Sequence, residues 1–109
     1  MQKADWLSQV KRGVLEYSIM SILSKEETYG YDIIATLAQW EVLETKEGTV
    51  YPLLKRLERE QLIQYTWRNS VEGLPPRKYY SLTLEGINFL KIMDNEWKNL
   101  NTAIDKIKR

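Results

Sequence analysis

Two residue types are missing altogether from this chain of 109 residues, cysteine and histidine. Without cysteine there is no disulfide framework, no thiol nucleophile and no thiolate metal ligand. Without histidine there is no Ser–His or Cys–His nucleophilic pair and no imidazole switch near neutral pH, and with both gone no Cys/His zinc site. Carboxylates are then the only charged groups left to hold a metal, so neither a metal nor a cofactor is expected. Long apolar runs are missing too. No stretch approaches the roughly 18–20 residues of a membrane span. The start, Met1-Gln2-Lys3-Ala4-Asp5-Trp6, lacks the apolar core of a signal peptide. These absences predict a soluble cytoplasmic protein with no membrane partner. They also argue against an enzyme. The acids Glu26, Glu27, Asp32, Glu41 and Glu44 come with no nucleophile–base pairing and no glycine-rich phosphate loop.

An excess of either charge is scarce as well: 16 Lys and Arg stand against 15 Asp and Glu, a net charge of +1. The remaining composition, 43% hydrophobic and 28% charged, is that of a globular chain. Its length suits one domain with a modest core plus one appended element. Near-neutrality conceals an uneven distribution. Residues 1–12 carry +2, residues 13–45 carry −5, residues 46–80 carry +3 and residues 81–109 carry +1. Such a distribution permits a cationic face on a neutral molecule, although solvated faces alone would also produce it.

Hydrophobic spacing then supplies the elements. Leu15, Ile19, Ile22 and Leu23 share one face of a helix over residues 6–24. After the polar Lys25-Glu26-Glu27, Thr28 is expected to cap a second helix, with Asp32 in its first turn and Ile33, Ile34, Leu37 and Trp40 as its buried stripe. Residues 41–47 read as a connection with a short extended piece at Val42 and Leu43. Val50, Leu53, Leu54 and Leu57 define a third helix. Its Pro52 requires a start near Gly48 or slightly earlier, so that the missing N–H falls in the first turn. The period then switches to alternation: Ile63, Tyr65 and Trp67 mark a strand, residues 69–76 a polar loop, and Lys78 to Thr83 a returning strand. From Leu84 a long helix runs to about Lys108. Leu90, Met93, Trp97, Leu100, Ile104 and Ile107 form an a/d seam along it. So short a chain offers little to cover that seam, which predicts a homodimer; folding back on its own domain is the alternative.

Mainly α with a β-hairpin wing, the pattern describes a winged helix-turn-helix, residues 1–83, followed by a long C-terminal dimerisation helix, residues 84–109. That fold suits double-stranded DNA. A helix N-terminus entering the major groove brings free N–H groups and polar side chains to phosphates and base edges. Lys46, Thr49, Tyr51, Lys55 and Arg56 are the candidates on the third helix. Arg68, Asn69, Ser70, Arg77 and Lys78 are those of the hairpin. Tyr51 is equally suited to packing between helices, and Arg77 and Lys78 to solubilising an exposed hairpin.

Three segments carry a more specific signal. Tyr29-Gly30-Tyr31-Asp32-Ile33, the run from Gly48 to Glu58 (GTVYPLLKRLE), and the run from Pro75 to Gly86 (PPRKYYSLTLEG) resemble the PadR family of transcriptional regulators. The likeness spans most of residues 13–90 and implies a dimeric winged-helix repressor of operator DNA with a C-terminal dimerisation helix. A single helix after the wing resembles the family's small subfamily. Gln61 departs from the pattern, since the family commonly has glycine after this helix.

Some members of that subfamily bear a Trp on the last helix and bind planar aromatic drugs between the two copies. Trp97 falls in the matching place, eleven residues after Gly86. A Trp at a seam position also serves as plain core. Two indoles related by a two-fold axis would form a slot for a flat aromatic or cationic ligand, by stacking and cation–π contact. Met93, Asp94 and Glu96 are the expected neighbours, with Val10, Val14 and Leu15 as the opposite wall. The expectation is therefore a dimeric, sequence-specific DNA-binding repressor released by such a ligand. The alternative is a winged-helix protein–protein interaction module without a DNA target.

Overall fold

The computed structural model describes residues 2–69 and 71–109, so Ser70, one of the candidate wing residues, lies outside the described residues. Seven elements follow in order: α1 (Lys3–Lys25), β1 (Thr28–Tyr29), α2 (Gly30–Leu37), α3 (Glu47–Arg59), β2 (Ile63–Arg68), β3 (Arg77–Leu82) and α4 (Leu84–Lys108). The hairpin of β2 and β3 is extended by β1 into an antiparallel sheet of order β1-β3-β2, with Thr28 opposite Tyr80 and Tyr65 opposite Tyr80 on its other side.

The core lies where α1, α2, α3 and the base of the hairpin meet. Leu15, Ile19, Met20 and Leu23 come from α1, Ile33 and Leu37 from α2, Val50, Leu54 and Leu57 from α3, Ile63 and Tyr80 from the strands, and Leu90 from α4. Burying a side chain of this size contributes about 1.5–3 kcal/mol, so this cluster is the main source of stability. Three of the four residues expected in the α1 stripe, Leu15, Ile19 and Leu23, are buried, and one member differs. Met20 is fully buried, whereas Ile22 packs at the rim.

Four local expectations need correction. Thr28 does not cap α2; it lies in β1, its hydroxyl donating to the Glu26 carbonyl, and α2 starts at Gly30 without a side-chain cap. Strand pairing with Tyr80 satisfies the backbone there, which no local pattern announces. Trp40 lies beyond the end of α2 and is 52% exposed, and Val42 and Leu43 belong to turns rather than an extended piece. Pro52 sits in the second turn of α3, not the first. The hydrogen bond that its missing N–H removes is the one to the Gly48 carbonyl, and Gly48 is an exposed residue, where water can take the donor's place.

The junction between α3 and α4 is tightly specified. Gln61 adopts a φ of 63°. Its N–H donates to the Glu58 carbonyl at 3.0 Å and the Leu62 N–H to the Leu57 carbonyl at 3.0 Å, the paired bonds of a Schellman stop. Thr83 caps α4 by accepting from the Gly86 N–H at 2.9 Å, and its hydroxyl donates to the Gln61 carbonyl at 2.6 Å. A methyl group on Gly86 would lie 2.0 Å from the Leu62 carbonyl oxygen, so only glycine allows this approach. One knot thereby fixes the end of α3, the start of the wing and the start of α4.

Candidate nucleic-acid interface

Helix α3 turns its apolar stripe inward, which leaves Lys46, Thr49, Tyr51, Pro52, Lys55 and Arg56 on its exposed side. The hairpin stands beside it. As β2 and β3 leave the core, the strand face that begins with the buried Ile63 and Tyr80 continues outward as Tyr65, Trp67 and Lys78. Between α3 and this face lies a groove of about 570 Å3, lined by Gly30, Tyr51, Lys55, Trp67, Arg77 and Lys78 among others. Four of the ten candidate DNA residues thus meet in one place: Tyr51, Lys55, Arg77 and Lys78. The Lys78 ammonium sits 3.9 Å from the centre of the Tyr65 ring, a cation–π contact that fixes it without neutralising it.

Tyr51 packs within the chain and also stays accessible at the wing groove. Its ring packs against Gly30, where an added Cβ would lie 3.1 Å from Tyr51 Cε1, while the residue stays 39% exposed. Burial pushes its hydroxyl above the ordinary tyrosine range, with neighbouring Tyr29, Glu47 and Tyr31 adding to the shift. It therefore stays a neutral hydrogen-bond donor.

The remaining candidates are placed differently. Lys46, Thr49 and Arg56 face a second groove, between α3 and α1. Arg56 is engaged there, bonded to Glu16 at 3.0 Å and to Glu60 at 3.4 Å. Arg68 points to the opposite sheet face, with its guanidinium 2.7 Å from Glu27 Oε2 and 4.8 Å from the Tyr79 ring centre. Arg77 also stacks over an aromatic ring, that of Tyr29, at 4.7 Å. Asn69 is exposed at the hairpin tip. Trp67 lines the wing groove and was not among the expected residues; its alternation with Ile63 and Tyr65 was the signal that placed it on that face.

A separate groove of about 330 Å3 runs between α1 and α4. Val10, Gly13, Val14, Tyr17, Met93, Glu96, Trp97 and Leu100 line it. It gathers Trp97 with Met93, Glu96, Val10 and Val14. Leu15 is not part of it: it is buried in the core, on the α1 face turned toward α3. Asp94 does not line it either, but its Oδ1 accepts the hydroxyl of the groove residue Tyr17 at 2.6 Å. That bond, with burial and the carboxylate charge, holds the Tyr17 hydroxyl above its ordinary range. The Tyr17 ring lies 5.9 Å from that of Trp97 at 48°, so the indole already has one aromatic neighbour within the chain. Along the seam, Leu90 is buried and Met93 half-buried within the chain, whereas Trp97, Leu100, Ile104 and Ile107 are 41%, 57%, 50% and 83% exposed.

No helix among the described residues is long and apolar enough to cross a membrane. Three helices, a three-stranded wing and a cationic groove between recognition helix and wing place the molecule among winged helix-turn-helix proteins of the DNA-binding kind. The sequence pattern of the Transcriptional regulator PadR-like family matches residues 19–92, and the chain belongs to that family, one of transcription regulators rather than enzymes. It is similar to the structure of a PadR-like transcription factor from Bacteroides fragilis, with 47% identity over 92% of this chain and 95% of that one and a TM-score of 0.78. It is 36% identical over 76 residues to the negative transcriptional regulator PadR of Bacillus subtilis, a match covering 67% of this chain and 41% of that protein. The Bacillus subtilis PadR structure in complex with operator DNA has 32% identity and a TM-score of 0.65, over 73% of this chain and 47% of that one.

Proposed function

We propose that this transcription regulator is a dimeric, sequence-specific repressor, released from its operator when a planar aromatic ligand enters the groove at Trp97. In this reading residues 1–83 form the DNA-binding unit and residues 84–109 the dimerisation helix. The observation that carries the DNA reading is the wing groove, where Tyr51, Lys55, Arg77 and Lys78 converge beside the exposed side of α3. Cations on both walls suit a phosphate strand, and Thr49 near the N-terminus of α3 suits a base edge. A similar structure in complex with operator DNA, and a relative described as a negative regulator, support the same direction. Lys55→Ala is expected to weaken binding about equally for all sequences and to lower the slope of log K against log salt by ~0.9. Mobility shifts on the protein's own promoter and on scrambled DNA, each at two salt concentrations, test this. Equal affinity for both duplexes would mean that the target lies elsewhere or that the basic face serves a protein partner; failure to select any sequence from random DNA would refute sequence-specific repression.

The ligand part rests on the apolar groove between α1 and α4, with Trp97 and Tyr17 as platforms, Met93 as an adaptable wall and Glu96 as the acid that favours a cation. Control of DNA binding requires the ligand to bind the DNA-competent and incompetent dimers unequally. Trp97→Ala should weaken binding of planar aromatic cations at least tenfold, as read by fluorescence titration. Unchanged affinity would remove Trp97 from the site.

A further inference from the structure

We propose that the cleft between α1 and α3 is a second seat for the DNA backbone, in which Lys11 and Arg12 of α1 hold phosphates that the wing does not reach. This rests on the reading that α3 enters a DNA groove.

The cleft measures about 670 Å3, and five cations line it, Lys11, Arg12, Lys46, Arg56 and Arg59, against the single carboxylate of Glu44. Arg56 is held by Glu16 and Glu60. The other four cations form no ion pair among the described residues. Lys11 donates to the Glu44 carbonyl, a bond that fixes its ammonium at the cleft without cancelling its charge. Walls of low polarizability and charge of one sign focus the potential inside such a cleft.

Position supplies the second reason. A helix in the major groove, which is about 12 Å wide, has a sugar–phosphate strand on each side. Helix α3 likewise has a cationic groove on each side. Lys55, Arg77 and Lys78 lie toward the wing, and Lys11, Arg12 and Lys46 toward α1. Pro52 lines both, so the two grooves meet on the exposed ridge of α3. A duplex seated on that ridge lays one strand in each. Contacts of this kind fix register and orientation, and carry no base preference.

The test uses the full-length protein and a duplex selected by the wild type from a random pool, titrated across a range of salt. Arg12→Ala removes one phosphate partner. Lys11→Gln removes the other charge and keeps a donor for the Glu44 carbonyl. The double variant is expected to bind roughly tenfold more weakly, with the salt slope shallower by up to ~1.8, about 0.9 for each lost phosphate contact. Its sequence preference and circular dichroism should match the wild type. Arg12→Glu should weaken binding further. If the wild type binds and these variants match its affinity and slope, the second seat is refuted while the reading of α3 stands. If the wild type selects no duplex, both fall. If the variants keep DNA binding but lose binding of poly-glutamate, the cleft serves an acidic protein, which also overturns the proposal.

Discussion

Tyr80 joins the wing to the body of the molecule, since its ring lies beside Gly30, 3.4 Å from where a Cβ would stand, and only 4% of the residue is exposed. Burial pushes its hydroxyl up to about 12, with the charge of Glu58 the next contribution. Below the unfolded value near 10 the phenol is neutral in both states and its full contribution to stability is present. Above that value the unfolded chain ionises while the folded one does not, so stability falls as pH rises toward about 12. The loss is on the order of 2 kcal/mol. Tyr80→Phe should therefore show a flatter decline of urea midpoint between about pH 10 and 12 than the wild type. Parallel declines would assign the alkaline loss to other groups. Residues also differ in how much of their role the sequence shows. Lys55 and Lys78 follow from helical and alternating spacing, because a period fixes a face. Arg68 has the same alternation, but its partner Glu27 is 41 residues away. No local spacing contains that separation, so the ion pair with Glu27 is not legible in the sequence.

Elements were legible where a hydrophobic period runs long enough to be unambiguous. Helix α4, the hairpin and the single stripe of α3 follow from spacing alone. The two-residue β1 does not, because it exists only through pairing with β3; nor does the turn position of Pro52, since the first turn of α3 has no side-chain cap to mark its start. Gln61 departs from the family's glycine at a place where the structure gives the reason for glycine. A φ of 63° costs a residue with a Cβ about 1 kcal/mol or more, and glycine much less. Gln61→Gly should raise stability by roughly 0.5–1 kcal/mol, because the Schellman bonds stay and the strain goes. Chemical denaturation measures it; a lower midpoint would mean that the glutamine side chain contributes more than its backbone costs.

For the whole molecule, charge segregation is the feature that average composition conceals. The acid-rich residues 13–45 and the basic residues 46–80 fold so that cations border α3 on both sides, while Glu27 is drawn to the far face of the sheet. The sequence showed the segregation and not the two grooves, because Lys11 and Arg12 reach α3 only through the packing of α1. Seam exposure along α4 is greater toward Ile107 than at Leu90, so the distal seam is not covered by the chain's own described residues. In the proposed dimer, Ile104→Glu should yield a folded monomer in sedimentation experiments where the wild type sediments as a dimer. A dimeric variant would place the interface elsewhere.

The knot of Gln61, Thr83 and Gly86 has a consequence for the operator. Because it locks the end of α3 to the start of α4, a recognition helix has no hinge of its own with which to search for its half of a site. In the proposed dimer, two such helices joined through α4 would act as a ruler of fixed length. DNA repeats every ~10–10.5 base pairs, roughly 34–36 Å. An operator lengthened by half a turn would then present its second half to the wrong side of the duplex, and the proposed dimer should bind it more weakly.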